Sequence, residues 1–93
     1  MSRIVTEHAV LRYMERIEGM TPEQARSVVG EYRPIVEAIL LTPLVRDVLT
    51  LTRSTRSEAR VKLPTCTVVC NSGFVVTILW AGFSHFSMEA ASG

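Results

Sequence analysis

Ninety-three residues, 47% apolar and 20% charged, are one domain's worth of chain, with enough apolar side chains for a packed core and too many for intrinsic disorder. Ten Lys and Arg against nine Asp and Glu leave a formal charge of +1, which excludes whole-molecule attraction to nucleic acid or an anionic membrane, so any polyanion site has to be a local patch. No signal-peptide pattern opens the chain and no apolar run approaches the roughly 20 residues that span a bilayer, so a soluble protein of the cytoplasm is expected.

The first helix is predicted over residues 7–18, with Thr6 as its cap and Gly19 just past its end. Val10, Leu11, Tyr13, Met14 and Ile17 form its apolar side, and His8, Arg12, Glu15 and Arg16 the polar one. A second helix starts sharply at Thr21 and Pro22, where Gln24 completes a capping box. Its apolar stripe, from Ala25 through Tyr32 to Leu40, runs straight past Pro34, which argues for one helix to Leu41 with a kink near Gly30; two helices are the rival reading. Thr42 and Pro43 repeat the cap-then-proline pattern and predict a short third helix over 43–50, with a strand as the rival reading because Leu49 to Arg53 also alternates apolar and polar. Residues 52–60 lack an apolar period and read as an exposed basic loop.

From Val61 to Trp80 the chain turns β-branched and aromatic, and predicts a hairpin over about 61–80 that turns at Asn71, Ser72 and Gly73. Pro64 should interrupt its first strand or mark an edge, and apolar residues on both faces of the second strand predict a central position for it. The remainder, 81–93, is a small polar tail with Phe83 and Phe86 as docking points. Helices first and strands last make an α+β domain, two or three helices on one face of a small antiparallel sheet. That leaves sheet surface to cover and favours a homo-oligomer.

His8, Arg12 and Arg16 follow one another at four-residue steps, so one imidazole and two guanidiniums share a helical face with Glu15 beside them. Metal-free RNA cleavage needs an acid and a base, for which His8 and Glu15 are candidates, and cations for the phosphorane charge, for which Arg12 and Arg16 are. A merely solvated face, with Arg12 paired to Glu15, is the commoner fate of such a stripe. Nine of the ten basic residues are arginine, the side chain suited to bidentate phosphate contact. Arg53, Arg56, Arg60 and Lys62 crowd four cations into ten residues, enough for weak, salt-sensitive contact with a nucleic-acid backbone, or for a solubilising loop that Glu58 partly neutralises. Trp80, Phe83, His85 and Phe86 could stack on bases but more commonly would pack the chain's end onto the core. Cys66 and Cys70 on one strand would stand roughly 13 Å apart, beyond disulfide reach, and lack further Cys or His at metal spacing, so neither a metal nor a cofactor is expected.

The run HAVLRYMER from His8 to Arg16, together with VVCNSGFVVTIL from Val68 to Leu79, resembles small phage and plasmid domains that are similar to BrnT- and RelE-type toxins of the microbial ribonuclease superfamily. The resemblance covers about a quarter of the chain. It implies helices packed on a small antiparallel sheet and a metal-independent endoribonuclease acting on RNA, and a host or antitoxin-like protein as partner. The chain departs from the family in a long helical insert over 34–49 and in a last strand without charged residues. Those departures, with the apolar excess, keep two other readings open: a phage-type inhibitor acting through a protein partner, and a nucleic-acid-binding module without catalysis.

Overall fold

The computed structural model describes residues 4–80. Three helices, α1 (Glu7–Arg16), α2 (Pro22–Leu40) and α3 (Pro43–Thr55), precede three strands, β1 (Glu58–Lys62), β2 (Cys66–Asn71) and β3 (Phe74–Trp80), the α+β layout that the order of patterns predicts. Every helix opens on a threonine whose hydroxyl accepts an otherwise orphaned backbone N–H: Thr6 from Ala9, Thr21 from Gln24, Thr42 from Val45. Gln24 returns the bond to the Thr21 N–H and closes the capping box. α1 ends two residues before its predicted limit, where Gly19, at φ 77°, turns the chain toward α2. α2 runs unbroken through Pro34, which rules out two helices. Pro34 and Gly30 are both exposed, so water can take the carbonyl that the proline leaves unbonded.

The segment 52–60 is not a loop. α3 continues to Thr55, five residues beyond its predicted end, Arg56 caps it in the left-handed conformation at φ 53°, and Glu58 already belongs to β1. The expected hairpin is accordingly a three-stranded antiparallel meander in the order β1-β2-β3. β2 is therefore the central strand, not β3 as its two apolar faces suggest. Pro64 falls in the short turn between β1 and β2 and so interrupts the predicted strand from Val61 to Cys70, as expected of it. The second turn has two residues rather than three: Ser72 and Gly73 take φ 52° and 89°, as a type I′ turn requires, and Asn71 pairs with Phe74.

Register separates the two sheet faces, because directly opposed residues project to the same side. Val61, Val68 and Ile78 align on one face, with Cys70 and Val75 beside them; Arg60, Val69 and Thr77 align on the other, with Lys62, Thr67 and Leu79. The first face meets Val10, Tyr13 and Met14 of α1, Val45 and Leu49 of α3, and Val36 and Leu40 of α2 in one buried core. The outer edge of β3 is occupied: Val75 donates to Ile4, and its carbonyl accepts from the Thr6 backbone and hydroxyl. β1 is the open edge among the described residues, and its short, alternating charged sequence suits that position. Burial raises the pKa of Tyr13, Cys66 and Cys70, and the Cys70 thiol is pushed up to about 11. Cys66 and Cys70 are both free thiols. No described helix is long and apolar enough to cross a membrane. Phe83, Ser84, His85, Phe86 and the predicted tail lie outside the described residues.

Candidate functional site

The predicted stripe on α1 is helical, but its arginines have local partners. Arg12 Nη1 is ion-paired with Glu15 Oε1. Arg16 Nη1 donates to the Ile78 carbonyl at 2.8 Å, a backbone acceptor on the outer edge of β3. Trp80 Nε1 returns a bond of 2.9 Å to the Arg16 carbonyl, so the end of α1 and the end of β3 hold each other reciprocally. A third arginine of the helical pair, Arg33, reaches the Val5 carbonyl at 2.6 Å and Glu37 at 3.1 Å. His8 is exposed, with no hydrogen-bond partner among the described residues. A guanidinium bonded to a main-chain carbonyl is already positioned for structure.

The second set has the opposite character. Arg53, Arg56, Arg60 and Lys62 are all exposed, and the nearest thing to a partner among them is Glu58, 4.0 Å from Arg60 Nε. α3 and the turn fix the place of Arg53: the buried Thr52 hydroxyl accepts the Gly73 N–H at 3.1 Å and donates to the Leu49 carbonyl. That bond draws the Arg53 side chain directly over Gly73, where a Cβ would stand 2.8 Å from Arg53 Cβ. Arg56 turns the corner into β1, and Arg60 and Lys62 project from the face opposite the helices. Arg53 thus stands on the helix side at the β2–β3 turn, and Arg60 and Lys62 on the other face along β1.

The β1 cations do not converge with the α1 stripe: α1 packs on β3, β1 is two strands away across β2, and Arg60 and Lys62 lie on the other face from α1. His8, Arg12, Glu15 and Arg16 thus share α1 but are not gathered with Arg60 and Lys62. Among the described residues no group of three His, Cys, Asp or Glu is placed to hold a metal ion. Sequence reading passed over Arg46, which lies on the same face of α3 as Thr50 and Arg53, at positions i, i+4 and i+7; the helical spacing is the signal that would have found it. No family model matches the chain, and no curated protein and no solved structure shows significant similarity to it. The likeness to ribonuclease toxins therefore rests on its two short segments alone.

Proposed function

We propose that this protein binds a nucleic-acid backbone, RNA foremost, without cutting it, through the basic residues carried by α3 and β1. One observation carries this reading: charge is segregated within a nearly neutral chain. Between residues 43 and 62 stand Arg46, Arg53, Arg56, Arg60 and Lys62 against Asp47 and Glu58, while between 7 and 40 six glutamates outnumber four arginines. Three of those four arginines are engaged in holding the fold, whereas the α3–β1 cations are largely unpartnered. Exposed, uncommitted guanidiniums close together in the chain attract phosphate locally, whatever the net charge.

Fluorescence anisotropy with a labelled single-stranded RNA tests this. With three or four phosphates engaged, affinity should fall roughly 20- to 50-fold between 50 and 200 mM salt, and the RNA should remain intact. Binding that ignores salt would falsify the reading. RNA cleavage that His8→Ala abolishes would restore the toxin-like ribonuclease instead.

A second reading, a protein-binding module or homo-oligomer, is favoured by Ile35, Ile39, Leu44 and Leu51, all exposed on α2 and α3. Sedimentation across a hundredfold concentration range reads self-association, and a stable monomer that recovers no stoichiometric protein partner counts against this alternative.

A further inference from the structure

Between the N-terminal segment and α3 lies a cleft of about 120 Å³ lined by Ile4, Leu41, Arg46, Leu49, Thr50 and Arg53. Its floor is apolar and its wall is the Arg46, Thr50, Arg53 ladder. Seven residues of helix separate the two arginine Cα atoms by about 10.5 Å, a span that two long side chains can close upon from either end. Arg46 Nε donates to the Leu41 carbonyl at 3.2 Å, which holds its stem against the cleft and leaves both Nη groups without a partner among the described residues. Arg53, lying over Gly73, likewise has no acceptor there. Thr50 donates its hydroxyl to the Arg46 carbonyl, so it too is held at the rim.

We infer that this cleft is a seat for a single phosphate group, gripped from both sides by Arg46 and Arg53. The lining decides the ligand class: two arginines whose Nη groups have no partner among the described residues, at the rim of one small open cleft, suit a compact anion such as phosphate. Two guanidiniums with free forks match phosphate oxygens bidentately. A seat that reads only phosphate confers no sequence preference, and on the nucleic-acid reading above, on which the choice of a phosphodiester as ligand rests, it fixes the strand's register on the protein.

Amide shifts followed by NMR in the full chain, at constant ionic strength, test the seat with inorganic phosphate and with a single-stranded RNA as separate probes. Both should move Leu41, Thr50, Arg53 and Gly73 together. Arg46→Gln should abolish the phosphate response, weaken RNA binding severalfold and lower the salt slope by about 0.7, the value of one single-strand phosphate contact. Thr50→Val, which removes a hydroxyl already donating to the Arg46 carbonyl, should leave the phosphate response in place. RNA that binds with salt dependence but leaves this cluster unmoved, and is indifferent to Arg46→Gln, overturns the seat and spares the functional reading. Phosphate that moves the cluster while RNA does not bind keeps the seat, assigns it to free phosphate rather than a phosphodiester and removes the nucleic-acid reading. Silence with both probes overturns both.

Discussion

α1 and α3 carry the same kind of side chain at the same kind of spacing and put it to opposite uses. On α1, Arg12 faces Glu15 and Arg16 reaches a carbonyl of β3, so the helix is fastened to the sheet by the very groups that make it look like an anion site. On α3, anchoring falls to Thr52, whose small hydroxyl bonds the Gly73 N–H from within the core. The arginines around it are left exposed. Whether a basic helical stripe is a site is decided by what else in the fold is available to hold that helix down.

The comparison breaks most directly at Gly73. A side chain there would adopt φ 89° and meet Arg53 Cβ at 2.8 Å, an atom fixed to the α3 backbone. Gly73→Ala therefore combines left-handed strain with overpacking, and should cost about 2–4 kcal/mol. A thermal melt reads this as a loss of roughly 10–25 °C for a domain of this size. If the loss stays under a few degrees, the turn and α3 are not rigidly joined and the placement of Arg53 loses its cause.

Alkali strains both regions alike, because both stand on the core that holds Cys66 and Cys70. The Cys70 thiol lies at about 11 in the folded chain against an ordinary value of 9.0. An unfolded thiol thus releases its proton first, and the folded state binds more protons across that window. Stability linked to this group is fully present below pH 9, falls as pH rises toward 11, and is lost through that range by an amount on the order of 1–2 kcal/mol. Urea midpoints at pH 8 and 10.5, compared between the native chain and Cys70→Ala, check the sign: the native chain should show the larger decline.

A smaller effect sharpens the contrast between the two arginine sets. Arg16→Ala removes a charged donor from the Ile78 carbonyl and some packing of the stem, and should cost about 1–2 kcal/mol while leaving RNA affinity unchanged. Arg53→Gln should do the reverse, weakening RNA binding severalfold with a stability change of under about 0.5 kcal/mol. Trp80→Phe, which loses the single bond to the Arg16 carbonyl, should cost about 0.5–1 kcal/mol. An Arg16→Ala variant as stable as the native chain but impaired with RNA would exchange the roles assigned to the two helices.

Most of the fold was legible because its signals are local. The three threonine caps, the prolines at the first turns of α2 and α3 and the turn glycine act within four residues, and the apolar stripe past Pro34 correctly outweighed the proline. Residues 52–60 read as a loop because Thr52 alone among them is buried, too few points to show either period. The sequence of β3 suggests a central strand because its outer edge is covered by residues far away in sequence, Ile4 to Thr6. The candidate site was legible as a list of cations and illegible as a geometry: the Ile78 carbonyl that occupies Arg16 is a main-chain group, and a main-chain acceptor leaves no trace in residue identity.

The mildest test concerns Arg12 and Glu15, where an ion pair and an acid/base relay make different forecasts from the same contact. The pair is three residues apart on one helix, with the Arg12 side chain about a third exposed, so it is worth only about 0.2–1 kcal/mol. A double-mutant cycle on Arg12→Ala and Glu15→Gln, read by urea denaturation, should return a coupling in that range that shrinks when salt is raised to 1 M. If Glu15 has no duty beyond the pair, Glu15→Gln should leave both the integrity and the binding of RNA untouched. A coupling near zero would mean that the two side chains are independent in solution, freeing Arg12 and Glu15 to act beside His8 and making α1 resemble α3 after all.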